Sequence, residues 1–234
     1  MKKIILAILM TFGIFTIVSA EIGVKVGVSA QIGSMETSGQ EKNSDGVTAT
    51  QKSQTEEALF GTGGFFIEKD LAFLPGRVGE IGSRIAIGFD NIVHDLDMGT
   101  ASNARNASLG AAGAAVAATT HSLNAKVTGF ETVYAIVNIT DWLYVKVGSV
   151  TVDVDTKFTG STTSTYATSH SLDGTVMGFG LMKSTDTGWF TRLEYNDYDI
   201  DGKSVANTGT DSKFTAVLND VTGTTGRISI GKSF

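Results

Sequence analysis

Alternation of apolar and polar residues over 22–33 restricts the fold more than any other feature of the chain. Every second residue from Ile22 to Ile32 is apolar, and the residues between them are glycine, serine, lysine or glutamine. Successive side chains of a strand point to opposite faces, so this pattern predicts a strand with one apolar and one polar face. About eleven residues of such alternation match a strand that crosses a lipid bilayer in a barrel wall.

The preceding residues predict a secretory signal over 1–20. Two lysines come before an apolar run over 4–18, and Val18-Ser19-Ala20 ends it with the small residues that signal peptidase reads. An uncleaved anchor is the alternative, but the run is short for a spanning helix. We expect 21–234 to form one domain.

Composition excludes several classes of protein. The formal net charge is −6, without the basic footprint of a nucleic-acid-binding protein. The chain has no cysteine and one proline against 28 glycines, so disulfides cannot stabilise it and closed hydrogen bonding with close packing must. The only glycine-rich run, Gly61-Thr62-Gly63-Gly64, lies inside a predicted strand and opens no helix, so we predict no cofactor.

Eight segments repeat strand-like alternation, and the connections between them are alternately long and short. The segments are 22–33, 57–68, 80–90, 123–138, 142–155, 171–183, 189–199 and 213–234. The long connections are 34–56, 91–122, 158–169 and 201–211. This arrangement predicts an all-β fold, an eight-stranded antiparallel up-and-down transmembrane β-barrel with four long extracellular loops. The alanine-rich stretch 109–118 in the second loop is either a partner-binding or surface-dipping helix or a mobile loop.

With these features the chain resembles the small eight-stranded outer-membrane barrels, namely the OmpA transmembrane domain, OmpX and opacity-type proteins. The resemblance rests on the signal, the alternating segments and Phe234 with Ile228 and Ile230 in step behind it. It implies that 21–234 is an outer-membrane barrel domain and that these three residues are the signal read by the barrel assembly machinery. Lys232 departs from the family pattern, where an aromatic residue is common. The resemblance also implies a monomer in the cell outer membrane, in contact with its lipid and lipopolysaccharide.

Aromatic residues near predicted strand ends are candidates for the girdles that lie at membrane interfaces. They are Phe89, Trp142, Tyr144, Trp189, Tyr195 and Phe234.

Charged residues on the predicted inner faces are the main candidate site. They are Lys25, Glu68, Glu80, Arg84, Glu131, Lys146, Arg192, Glu194 and Arg227. An eight-stranded barrel is just wide enough for side chains to fill it, and opposite charges in so narrow a space should pair. We therefore predict an internal plug, with a pore lined by charged rings as the alternative.

One segment resembles the first half of a calcium-binding loop. Asp197, Asp199 and Asp201 precede Gly202 with D-x-D-x-D-G spacing, but Thr208 stands where the full loop needs a glutamate. The alternative is a strand that continues above the bilayer and bends at Asp201.

The three histidines give little support to catalysis. His94, His121 and His170 lie in or beside predicted loops, and only His94-Asp95-Leu96-Asp97 pairs a histidine with carboxylates. We therefore predict a non-enzymatic outer-membrane barrel that acts in envelope structure or in surface recognition and adhesion, with loops that bind an extracellular ligand. A narrow pore for small solutes or ions and a secreted soluble β-sandwich are the alternatives.

Overall fold

The fold is seen in a computed structural model, which describes residues 23–43, 54–75, 77–105, 108–109, 115–116, 119–159, 165–209 and 214–234. This part of the chain contains strands and one short helix, α1 (Arg77–Gly82). The strands are β1 (Val24–Asn43), β2 (Gln54–Asp70), β3 (Ile85–Ile92), β4 (Leu96–Arg105), β5 (Ser108–Leu109), β6 (Ala115–Val116), β7 (Thr119–Asn138), β8 (Leu143–Thr159), β9 (Ser169–Ser184), β10 (Trp189–Ile200), β11 (Lys203–Ala206), β12 (Phe214–Leu218) and β13 (Val221–Ser233).

Eight of these strands close into an antiparallel barrel. Their order around the wall is β1, β2, β3, β7, β8, β9, β10, β13 and back to β1. Gly27 of β1 shows the closure, because it pairs with Phe66 of β2 on one side and Gly231 of β13 on the other. The predicted eight-stranded up-and-down barrel is thereby confirmed.

Several strands are much longer than a bilayer requires. β1 and β7 each have 20 residues, whereas about 9–11 residues cross the hydrocarbon. Three shorter strands join the same end of the wall: β4 pairs with β7, β12 with β1, and β11 with β12. We call the part of the barrel at this end, on the side of the long connections, the extension.

The extension replaces much of what the sequence predicted as loop. β1 continues to Asn43 and β2 begins at Gln54, inside the predicted loop 34–56, and β4 lies inside the predicted loop 91–122. Ladders are held by backbone hydrogen bonds, so polar segments without an apolar face can continue them above a membrane. The apolar pattern therefore marked where the strands face lipid but missed where they end.

The predicted strand 80–90 is wrong over its first residues. Residues 77–82 form α1, and β3 begins only at Ile85. The backbone N–H of Leu71 donates to the carbonyl oxygens of Gly82 and Ile85, which folds the connection back against the end of β2. The predicted strand placed Ile81 on the same face as Ser83 and Ile85, but Ile81 lies in α1 with its side chain exposed.

The change of face among the valines of β8 has a simple explanation. β8 pairs with β9 without interruption from Leu143 to Asp155, so β8 itself contains no bulge. The irregularity lies in β7, between Val127 and Gly129. Val150 and Val152 point into the barrel because the strand has passed beyond the lipid-facing zone, while its alternation continues unbroken.

The alanine-rich stretch 109–118 lies mostly outside the described residues. Its described ends do not favour a helix, since Leu109 of β5 pairs with Ala115 of β6. No helix in the described ranges is long and apolar enough to cross a lipid bilayer.

Candidate functional site

The outer surface of the barrel carries a belt of exposed apolar side chains. Members of this belt include Val26, Val28, Phe65, Ile87, Val133, Val137, Val145, Val147, Met177, Phe179, Leu181, Leu193, Tyr195, Ile228 and Ile230. A soluble β-sandwich buries its apolar faces between two sheets, whereas this single closed sheet turns them outward. The secreted sandwich is therefore ruled out, and the belt is the surface that meets hydrocarbon.

Most of the predicted girdle residues lie at the edges of this belt. Trp142, Trp189 and Phe234 are exposed at the edge near the short turns, and Tyr195 is exposed near the opposite edge, where its ring centroid lies 5.6 Å from that of Phe179. Phe89 also faces outward, but it is half-buried.

Tyr144 is the exception, and its assignment to a girdle is wrong. Its side chain is only 1% exposed and points into the lumen, where its hydroxyl donates to Glu194 Oε2 over 2.8 Å. Strand alternation explains the error, because Tyr144 lies on the face opposite Leu143 and Val145.

Glu68 and Arg192 form the first ion pair of the lumen. Arg192 donates Nη2 to Glu68 Oε2 over 2.6 Å, and its Nη1 contacts Oε1 of the same carboxylate. The hydroxyl of Tyr134 donates to Glu68 Oε1 over 2.8 Å. The Arg192 guanidinium also lies 4.8 Å from the ring centroid of Phe190 and 5.4 Å from that of Phe66. This bidentate pair between opposite sides of the wall crosses the lumen.

Glu194 is the acceptor at the centre of the second group. Its Oε1 accepts from Lys146 Nζ and from Asn196 Nδ2, each over 2.9 Å, and its Oε2 accepts from Tyr144. Arg227 Nη1 lies 3.9 Å from Glu194 Oε1 and also pairs with Asp90. Arg227 therefore links the Glu194 group to the opposite wall.

Together these residues form a charge-balanced cluster, which we call the lumen network. Its cations are Lys146, Arg192 and Arg227, and its carboxylates are Glu68, Asp90 and Glu194; all six are buried. Removing water from an unpaired ion costs several kcal/mol, so each charge is retained only because a partner and hydrogen bonds compensate it.

The structure therefore brings together Glu68, Lys146, Arg192, Glu194 and Arg227 from the predicted set. Asp90, Tyr134 and Asn196 also belong to this interior but were not in the predicted set. Their positions followed the same alternation: Asp90 shares its face of β3 with Ala86 and Gly88.

Four members of the predicted set lie elsewhere. Lys25 is half-buried on the inner face of β1, beside the network, and is paired in register with Glu68 of β2. Arg84 is exposed before β3 and donates to the carbonyl oxygen of Ile139 over 3.3 Å. Glu131 is on the outer face of β7, accepting from Asn91 over 3.5 Å, because its neighbours Phe130 and Thr132 point inward. Glu80 belongs to α1 rather than to a strand, and its side chain lies outside the described residues.

Aromatic rings in the lumen lie against glycines of neighbouring strands. A Cβ atom would overlap a ring at each of these positions: Gly27 with Phe66, Gly88 with Tyr134, Gly180 with Tyr144, and Gly231 with Phe190. The high glycine content of the chain is thus used where side chains crowd the interior.

The interior of the extension has the opposite character. Met35, Phe130, Val150, Val176 and Tyr198 are buried there in one apolar cluster. The rings of Phe130 and Tyr198 meet edge to face with centroids 5.5 Å apart. We call this the upper cluster; it also contains Val127, Val152, Leu172 and Ile200.

The candidate calcium residues lie at this level but on the outside. β10 pairs on both sides through Asp197 and Asp199, so this segment is strand rather than a calcium loop. Asp201 follows the end of β10, and its backbone N–H donates to the carbonyl oxygen of Asp173. No group of three or more metal-ligating side chains occurs within the described ranges.

The carboxylates near His94 are engaged by other partners. Asp95 forms an ion pair with Lys126 over 2.7 Å, and this hydrogen bond raises the pKa of the Lys126 ammonium. Asp97 accepts from Asn124 over 3.2 Å. His170 Nε2 contacts the carbonyl oxygen of Ala167 over 2.9 Å, and the side chain of His121 lies outside the described residues.

The three residues of the predicted assembly signal share the outer face. Ile228, Ile230 and Phe234 are all exposed, and Phe234 continues the ladder by donating its N–H to Val24. Their recognition by the assembly machinery stays a prediction.

An apolar outer belt around a closed, charged interior defines this protein as a bilayer-spanning β-barrel of the outer-membrane type. The predicted class and the predicted location in the cell outer membrane are thereby confirmed.

Comparisons with known proteins give similarity of fold without a sequence relative. No family profile and no curated protein matches the chain. Among solved structures, it is similar to Neisserial surface protein A (10% identity, TM-score 0.39, covering 91% of this chain and 97% of that one). It is also similar to OprG from Pseudomonas aeruginosa (6%, 0.44, 91% and 97%) and to the outer membrane protease OmpT from Escherichia coli (9%, 0.48, 94% and 100%). Since every identity is 10% or lower and every TM-score is below 0.5, these similarities say nothing about the activity of this chain.

Proposed function

We propose that this chain is a non-enzymatic outer-membrane protein with a sealed lumen, acting through its extension in envelope structure or in surface recognition and adhesion. The lumen network carries the first half of this proposal. Three ion pairs, Glu68–Arg192, Glu194–Lys146 and Asp90–Arg227, cross an interior that side chains already fill.

Two seals of different chemistry lie in series along the barrel. A solute that passed the upper cluster would have to separate packed apolar side chains such as Val150 and Val176, which have no exposed surface. It would then have to break buried ion pairs, with a desolvation cost for each charge. This combination favours a wall over a channel.

Conductance measurements test the seal. We expect the full chain in planar bilayers to show no discrete channels, and a Lys146→Ser/Arg192→Ser/Arg227→Ser variant to conduct. The conservative variant Ile230→Val on the outer belt serves as the control and should stay closed. Ion-selective steps from the unaltered protein would overturn the sealed lumen.

One observation favours the pore alternative. Within the described part of the chain, five buried polar atoms have no hydrogen-bond partner: Thr62 Oγ1, Asp90 Oδ1, Arg192 Nε, Asn196 Oδ1 and Arg227 Nε. Buried polar atoms are normally satisfied, often by water. A continuous file of such water would make a narrow pore, and the same conductance measurement decides between the two functions.

The extension supports the recognition half of the proposal. β2 pairs with β3 only from Gly64 to Asp70, while β4 pairs with β7, so no ladder between described residues joins β4 to the upper part of β2. Unpaired strand edges present backbone donors and acceptors to other chains. On another side of the wall, outward carboxylates of β9 and β10, including Asp173, Asp197 and Asp199, give the extension a negatively charged surface.

Truncation of the extension tests this role. We call 156–168, which includes the last residues of β8 and the connection to β9, the tip. Replacing it with a two-residue turn should reduce attachment of whole cells to host or neighbouring surfaces. Barrel stability should change little, because the belt and the lumen network are untouched. If attachment and resistance of the envelope to detergent both remain unchanged, the tip has no part in this role.

A further inference from the structure

Two lysines lie on the outer face of the strands at the belt edge near the short turns. Trp189 of β10 pairs with Lys232 of β13, and Thr191 of β10 pairs with Lys183 of β9. The two lysines thus flank β10 on the same face. Neighbouring strands are about 4.8 Å apart and the two lysines are offset by two residues along β10, so the two side chains originate roughly 12 Å from each other.

Aromatic rings hold Lys232 against the wall. Its Nζ lies 5.7 Å from the ring centroid of Trp189 and 5.5 Å from that of Phe234. An ammonium held between ring faces is stabilised without a carboxylate. Among the described residues no carboxylate forms an ion pair with Lys183 or Lys232, and Asp186, in the turn between β9 and β10, is exposed to solvent.

Exposed apolar side chains continue directly from these lysines into the belt. Leu193 follows on β10 and is 61% exposed, and Ile230 follows on β13 and is 50% exposed. A lipid whose acyl chain covers Leu193 and Ile230 must place its headgroup beside Lys183 and Lys232, since long basic side chains extend toward the interface.

The opposite edge of the belt cannot offer the same contact. Its outward residues beyond Tyr195, Met177 and Val133 are Asp197, Thr175 and Glu131. Carboxylates there repel anionic headgroups. A preference for anionic lipid is therefore confined to the edge near the short turns, on the periplasmic side.

We propose that Lys183, Lys232 and Trp189 form a binding site for the headgroup of an anionic phospholipid in the periplasmic leaflet. The single negative charge of the phosphodiester lies between the two ammonium groups, and the Trp189 ring lies at the glycerol level. This inference rests on the bilayer-spanning wall of the proposed function. Each lysine close to an anionic headgroup contributes about a fivefold preference.

Tryptophan quenching tests the site directly, because the chain has only two tryptophans, Trp142 and Trp189. A Trp142→Phe variant of the full chain leaves Trp189 as the reporter. It is reconstituted in vesicles with increasing fractions of brominated phosphatidylglycerol or brominated phosphatidylcholine. We expect the anionic lipid to quench Trp189 with a relative binding constant about five- to twentyfold higher.

Matched variants separate the site from general charge. Lys183→Gln/Lys232→Gln should bring the two lipids to equal quenching, whereas Lys126→Gln, in the extension, should leave the preference intact. Equal quenching before substitution, or a preference that survives the double variant, would overturn the site. Loss of the preference on adding millimolar inorganic phosphate would also overturn it, in favour of a free-anion site. If neither lipid quenches, the wall is outside the bilayer and the proposed function itself fails.

Discussion

The two halves of this barrel have opposite interiors. Within the belt, outward side chains such as Val147 and Leu193 are apolar, and the inward ones include Lys146 and Glu194. In the extension the same strands reverse this arrangement: Ser149 and Asp199 face outward, and Val150 and Ile200 are buried inside. The strands themselves do not change register on the way, since β8 and β9 pair continuously through the boundary.

The reversal teaches that the surroundings, rather than the backbone, decide which face is polar. Hydrocarbon outside the belt accepts apolar side chains, so the charges must be inside and paired. Water outside the extension accepts polar side chains, so apolar ones collect inside as in a soluble barrel. On β8 the boundary lies between Val147 and Ser149, and on β9 between Met177 and Thr175.

Breaking one ion pair of the lumen network, within the belt, should give the largest loss of stability. Glu68→Gln leaves Arg192 buried without its counter-charge, so we expect the free energy of unfolding to fall by about 3–5 kcal/mol. This free energy is measured by urea titration in lipid vesicles. The folded fraction at each urea concentration is read from gels, on which the folded barrel migrates differently from the heat-unfolded chain. The double variant Glu68→Gln/Arg192→Met should recover much of the loss; a double variant as unstable as the single one would contradict the pairing account.

Truncating a side chain of the upper cluster, inside the extension, should lower the stability nearly as much, but by another mechanism. Ile200 is 2% exposed, so Ile200→Ala leaves a cavity and should lower the free energy of unfolding by about 2–5 kcal/mol. Ile230→Ala, the same substitution on the lipid-facing surface, is the matched control. Equal losses at the two positions would show that the upper cluster is not a packed core.

A charge on the outer face locates the boundary between the halves. Val145→Arg places a guanidinium in the belt and should cost about 2–4 kcal/mol, whereas Ser149→Arg, four residues further on the same face of β8, should cost about 0–1 kcal/mol. Refolding into vesicles with urea titration compares them. A Ser149→Arg cost equal to that of Val145→Arg would move the boundary further into the extension.

Filling a lumen glycine should give the smallest of these effects. A Cβ at Gly180 would overlap the ring of Tyr144, so Gly180→Ala should cost about 1–3 kcal/mol by overpacking. Gly226 has no atom within 4 Å of an added Cβ, and Gly226→Ala is therefore the control. Thermal unfolding of the two variants in the same detergent compares them, and no difference would mean that the ring moves freely.

Alternation predicted the part of the barrel within the belt well, and for a physical reason. A strand that separates lipid from a closed interior must alternate. The inward positions of Lys146, Arg192 and Glu194 could therefore be predicted from the amino-acid sequence alone. Alternation failed at Glu131, where both faces of β7 are largely apolar, and at Glu80, where residues 77–82 form a short helix although Ile81 keeps the period of the following strand.

By itself the amino-acid sequence determined that this chain is a β-barrel with a lipid-facing belt, because the period of two is imposed locally by the backbone. Only the tertiary structure decided which charges pair. Glu68 meets Arg192 across 124 residues of chain, and Asp90 meets Arg227 across 137. Such partners are set by closure of the sheet, which brings opposite sides of the wall within reach of a side chain, and no local pattern records that distance.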